Sequence, residues 1–189
     1  MNPRTGRNAS STNPRDWDTF DNAVAACEAS GYAGVGFVLT KEAGYVGVDF
    51  DDCLSDASSA PPHGMRPTEY RYLQALDSYA EVSPSGTGFK VVFKGVIPDE
   101  VSRRGFGEGN GIYDSSRYFT VTGQTLSGYD TLRSVSPETL AGFLAEIFPP
   151  KAAATRRIPL AGEASALLSY RRSCFPSYSA KNDAGTTRP

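Results

Sequence analysis

Cysteine, histidine and long apolar runs are what this chain has least of. Among 189 residues there are three Cys and one His. Cys27, Cys53 and Cys174 are odd in number, widely spaced and never part of a CxxC pair, which excludes a disulfide framework and a zinc site. The lone His63 agrees with that. No apolar run approaches the ~18 residues a membrane span needs, and the first thirty residues hold no apolar stretch of the signal-peptide kind. The expectation is a soluble, cytoplasmic protein with no membrane partner. What is present is enough for a core: 39% hydrophobic residues, with ten Tyr and ten Phe. The length suits one ordinary domain with a tail.

Charge divides the chain in two. Residues 1–150 hold 12 Lys and Arg against 19 Asp and Glu, whereas residues 151–189 hold 7 against 2. The near-neutral total therefore hides an acidic body and a basic extension. The extension is rich in Ala, Ser, Thr, Pro and Arg and has little apolar periodicity, so 151–189 reads as a linker or disordered tail.

Within the body, residues 2–16 are polar and turn-rich. A helix is expected over 19–30, with Thr19 as its cap and Gly31 at its left-handed end. Two apolar strands, 34–39 and 45–50, joined by the short polar link 40–44, have the form of a β-hairpin. A loop with Pro61, Pro62 and His63 precedes a helix over 67–76. Strands at 79–83 and 89–94 flank the loop Pro84–Gly88 as a second hairpin. The run RRGFGEGNG, 103–111, reads as a mobile loop because glycine occupies every second position from Gly105. A strand follows over 112–122, and a last helix spans about 136–148 with Ser136 capping. This order implies an α+β fold built on a mainly antiparallel sheet with flanking helices.

Three segments carry candidate chemistry. In VGVDFDD, residues i and i+2 of an extended strand point to one side, so Asp49 and Asp51 would offer two carboxylates about 6 to 7 Å apart. Such a pair can hold hard divalent cations for phosphoryl transfer. Acidic turn residues ending a strand are the plain alternative, and DxD phosphatases and metal-dependent glycosyltransferases use a similar pair. The second segment, Ser83–Lys90, combines hydroxyls, glycine amides and a lysine in one tight loop, able to cradle a phosphate or simply to connect two strands. It is not a Walker loop, since GxxxxGK[ST] is absent. In the third, YDSSRYFTVTG, Arg117 stands on a strand, where it can clamp a phosphate or cover the sheet with its stem.

Taken in order, NPRTGRNASSTNPRDWDTFDNAVAAC, GVGFVLTKEAGYVGVDFDDC, SYAEVSPSGTGFKVVFKG and YDSSRYFTVTG resemble the bifunctional primase/polymerase N-terminal domain of the archaeo-eukaryotic primase superfamily, as found in phages and plasmids, over about residues 2–148. The resemblance implies a primase-like core that adds nucleotides to a primer on a DNA template with Mg²⁺ or Mn²⁺. It implies that Asp49 and Asp51 hold the catalytic metals, and that Ser83, Ser85, Gly86, Gly88 and Lys90 contact the phosphates of an incoming nucleoside triphosphate together with Arg117. A replicative helicase is a further partner it implies. Two departures stand out. Many relatives have histidine where this chain has Lys90, and the family's third acidic residue, two positions before the tyrosine of the Y-D segment, falls on Gly111; Glu108 or Asp114 are the substitutes the sequence offers. Relatives also have one or two strands before NPRTGRNAS, which implies a sheet short of an edge. A degenerate nucleotide- or nucleic-acid-binding module and a DxD phosphatase are the competing functions.

Overall fold

A computed structural model describes residues 1–32, 34–55 and 64–149. The expected loop around Pro61, Pro62 and His63, Cys174 and the basic tail lie outside the described residues. Among the described residues three α-helices form: α1 (Phe20–Ser30), α2 (Pro67–Leu76) and α3 (Pro137–Ile147). Their ends follow local chemistry. Thr19 and Ser136 accept from the amides of Asn22 and Thr139, Pro67 and Pro137 open α2 and α3, and Gly31 closes α1 at φ +66°. None is long and apolar enough to cross a membrane.

Seven strands among the described residues make two antiparallel sheets: β1 (Val35–Leu39), β2 (Tyr45–Phe50), β3 (Tyr79–Val82), β4 (Phe89–Lys94), β5 (Arg104–Phe106), β6 (Asn110–Tyr113) and β7 (Arg117–Val121). The larger sheet runs β3-β4-β2-β6-β5, and β1 pairs with β7 alone. The fold is α+β with a mainly antiparallel sheet, as the order of elements implied.

Period-two alternation sorts the large sheet into two faces. Val46, Val48 and Phe50 of β2 join Phe89, Val91, Phe93 and Ile112 on one face, all fully buried. Tyr72, Leu73 and Leu76 of α2 and Leu140 and Phe143 of α3 complete this core. Phe50 stacks on Phe89 at 4.7 Å, and Tyr72 meets Phe143 edge-on at 5.2 Å. The other face of β2 carries Gly47 and Asp49, and the β1–β7 pair sits over it. A Cβ on Gly47 would lie 2.4 Å from the Phe119 ring and 2.9 Å from Leu39 Cδ1, so only glycine lets the small sheet approach so closely.

Three local expectations are corrected. The strands β1 and β2 are not a hairpin: a 3₁₀ turn at Lys41–Ala43 and a left-handed Gly44 separate them, and β1 pairs instead with β7, which sets Phe37 against Phe119. Apolar contact with a distant strand outweighs the short link. RRGFGEGNG is not a mobile loop but mostly the β5–β6 hairpin, whose turn uses positive φ at Gly107 (+54°) and Gly109 (+84°), while Gly105 and Gly111 face each other across the pair. The single strand expected over 112–122 is two strands in different sheets, broken where Ser116 takes φ +59°.

Candidate active site

The site is built on a straight row across the large sheet. Glu81 of β3, Lys90 of β4, Asp49 of β2 and Gly111 of β6 are successive cross-strand neighbours. All four therefore share the face opposite the aromatic core. Glu81 accepts from the amides of Thr122 and Gly123, each at 3.1 Å, and from the Tyr79 hydroxyl at 2.7 Å. It ties the end of β7 to β3. Lys90 turns the other way: its Nζ donates to Asp49 Oδ1 at 2.7 Å and lies 5.3 Å from the centre of the Phe119 ring.

Arg117 enters from β7, with its guanidinium 5.0 Å from the centre of the Tyr113 ring. Asp49, Lys90 and Arg117 line one cleft of about 220 Å³ with Pro84, Tyr118, Phe119 and Thr120. A carboxylate and two cations thus converge on a partly open space. A larger cleft of about 760 Å³, between the N-terminal segment, α1 and the β1–β7 pair, shares Tyr118 and Thr120 with it but holds none of the other candidate residues. Its volume is greater and its chemistry poorer.

Asp51 follows β2 by one residue. Its amide donates a hydrogen bond at 3.0 Å to the buried Asn110 Oδ1, and the Arg66 guanidinium donates to its carbonyl at 3.3 Å. The glycine turn of the β5–β6 hairpin lies beside it, where a Cβ on Gly109 would come 3.3 Å from Asp51 Cβ. Burial, and next the Asp49 carboxylate, push the Asp51 carboxyl above its ordinary value. The two acids feel each other.

The Ser83–Gly88 loop is held internally. Ser83 and Ser85 share a hydrogen bond at 2.9 Å, Ser85 and Thr87 one at 3.0 Å, and Thr87 donates to Asp52 at 2.9 Å. Gly86 takes φ +78° and donates to the Ser83 carbonyl. Gly88 is glycine for a packing reason: a Cβ there would stand 2.2 Å from the Phe50 carbonyl oxygen. The hydroxyl chain and Asp52 are what spacing alone did not reveal, as are Asn110 and Arg66. The hydroxyl chain is local to the loop, whereas Asp52 meets Thr87 and Asn110 meets Asp51 where β2 pairs with β4 and β6, and Arg66 reaches Asp51 from the start of α2.

The substitutes for a third acid each have other partners. Glu108 is 91% exposed at the hairpin turn and pairs with Arg66 at 3.6 Å. Asp114 is buried beyond β6 and accepts from the hydroxyls of Ser102 and Ser115. Gly111 is directly opposite Asp49. Among the described residues no three His, Cys, Asp or Glu side chains are grouped as metal ligands. The donor set is two carboxylates, which fits a hard cation that brings further oxygens with it. Cys53 is a core residue, 2% exposed, its thiol pushed up to about 12 by burial.

No family model matches the chain. Over 145 residues, 75% of its length, it is 36% identical to the DNA Primase-polymerase of Nitratiruptor phage NrS-1, and it spans 20% of that protein. The matched length covers most of the body that builds the cleft, and the likeness supports a relationship to the primase-polymerase family.

Proposed function

We propose that this domain is a DNA primase/polymerase-type nucleotidyltransferase, acting in the replication of a phage, plasmid or other mobile element. The observation that carries the reading is the convergence of Asp49, Lys90 and Arg117 on one cleft, with the Asp51 carboxyl near enough to feel all three. Lys90 and Arg117 bind the triphosphate through charge-assisted hydrogen bonds. Amides of the Ser83–Gly88 loop orient it, and Ser83 and Ser85 turn their hydroxyls to it. Asp49 and Asp51 would hold Mg²⁺ or Mn²⁺, which when bound lowers the cost of ionising the primer 3′ hydroxyl and of charge on the leaving pyrophosphate. The primer end and template lie across the open side of the cleft, and the aromatic walls, Tyr118 and Phe119, exclude water from one flank. A replicative helicase is the partner such an activity calls for.

Extension of a labelled primer on a DNA template, with deoxynucleotides or ribonucleotides and Mn²⁺, tests this. Product is expected from the full chain and not from Asp49→Ala. A second reading, a module that binds nucleotide or nucleic acid without chemistry, is favoured by one observation: glycine, not an acid, faces Asp49 across the sheet. Nucleotide binding with no extension under either metal selects it.

A further inference from the structure

We propose that the Lys90 ammonium is a built-in counter-ion of Asp49, which keeps free divalent cations out until a triphosphate draws it away. Metal then enters with the nucleotide instead of ahead of it. The inference rests on the nucleotidyltransferase reading and concerns the order in which that cleft is filled.

Lys90 and Asp49 are direct cross-strand partners, 2.7 Å apart, and each side chain is only 12% exposed. This is not a solvated surface pair. On the far side of Lys90, Glu81 accepts from three other donors, and the ammonium is bonded to Asp49 and not to it. On the far side of Asp49, Gly111 brings no charge. The Phe119 ring lies 5.3 Å away and favours a cation at that spot. The ammonium is therefore held on the carboxylate by everything around it.

Arg117 lines the same cleft, so two positive charges face Asp49 there, and both also act on the nearby Asp51 carboxyl. A free dication meets little net attraction and must displace an ammonium already at hydrogen-bond distance. A triphosphate changes the balance, because its oxygens compete with Asp49 for Lys90, whose flexible stem lets the ammonium swing. With Nζ on a phosphate, both carboxylates are left uncompensated, the condition that favours a divalent ion. Binding of metal and nucleotide is then mutually reinforcing, each tightening the other by one factor.

The test is Mn²⁺ binding to the full chain by electron paramagnetic resonance, with and without a non-hydrolysable nucleotide, for wild type, Lys90→Met, Lys90→Arg and Asp49→Asn. Without nucleotide, Lys90→Met should bind Mn²⁺ at least about tenfold more tightly than wild type, as removal of a positive charge beside a dication requires, while Lys90→Arg stays weak. Thermal melting gives a second readout, valid even for a destabilised variant: Mn²⁺ should raise the Tm of Lys90→Met more than that of wild type. Equal Mn²⁺ affinity and equal Tm shifts for wild type and Lys90→Met, with binding lost in Asp49→Asn, would overturn the gate and leave the metal site standing. Unchanged Mn²⁺ binding in Asp49→Asn would overturn the metal site itself, and the gate with it.

Discussion

Asp51 is where structure and chemistry pull apart most visibly. Its carboxyl is raised by burial and by Asp49, so ionising it costs the folded state. That cost is absent at a pH below the ordinary carboxylate range, near 3.9, and is fully present once the pH has passed the raised folded value. At neutral pH the penalty stands. Asp51→Asn should therefore melt at or above the wild-type temperature at pH 7, and the difference should vanish as the medium is acidified. The same variant should lose extension by roughly a thousandfold, since a metal carboxylate contributes on the order of 4 kcal/mol to the barrier. Melting curves between pH 3 and 7, beside primer extension, check both halves. A variant that loses stability and activity in parallel would return Asp51 to a structural role. Mn²⁺ affinity should likewise fall on acidification, beginning above the ordinary aspartate range, because the proton must leave before the ion binds.

At the scale of the element, two glycines set the site by what they leave out. Gly88 lets β4 start against the end of β2, and its Cβ would press on the Phe50 carbonyl at 2.2 Å. That atom is backbone and cannot step aside, so Gly88→Ala should cost about 2 kcal/mol and shift Asp51 with it, which denaturant unfolding measures. Gly111 is different. Its φ is not in the left-handed region, and what a Cβ meets is the far end of the Tyr113 side chain, 2.5 Å from the hydroxyl oxygen. Gly111→Glu should be tolerated once Tyr113 swings from beside Arg117, and should tighten Mn²⁺ or Mg²⁺ by about tenfold as a third oxygen ligand joins the pair. Adding Tyr113→Ala should enlarge the gain; titration of either ion without nucleotide decides it. These glycines also mark how far the sequence could be read. The caps Thr19 and Ser136, the β3–β4 hairpin and the alternation of Asp49 with Val48 and Phe50 are local, and periodicity exposed them. The pairing of β1 with β7, the β5–β6 hairpin and the Lys90–Asp49 contact depend on strands brought together from afar. Alternate glycines looked like slack because half serve a turn and half a close strand approach, and spacing does not separate the two uses.

For the whole molecule the governing quantity is charge. The body, 1–150, carries 12 basic against 19 acidic residues, a balance that disfavours a polyanion at long range. Residues 151–189 carry 7 basic against 2 acidic, and the prediction is that this charge attracts nucleic acid. Each phosphate neutralised on a single strand contributes about −0.7 to the slope of log K against log salt. If the tail supplies most of the contacts, deleting 151–189 should flatten that slope by up to about 5 and weaken DNA binding at low salt. The affinity of the cleft for a single nucleotide should stay the same, because Lys90, Arg117 and the Ser83–Gly88 loop all lie in the body. Fluorescence anisotropy of a labelled oligonucleotide across a salt series, run beside a nucleotide titration, separates these effects. Identical salt slopes for the full and shortened chains would make the tail a passive linker and assign DNA attraction to the body. A shortened chain that lost nucleotide binding as well would show that the tail supports the fold.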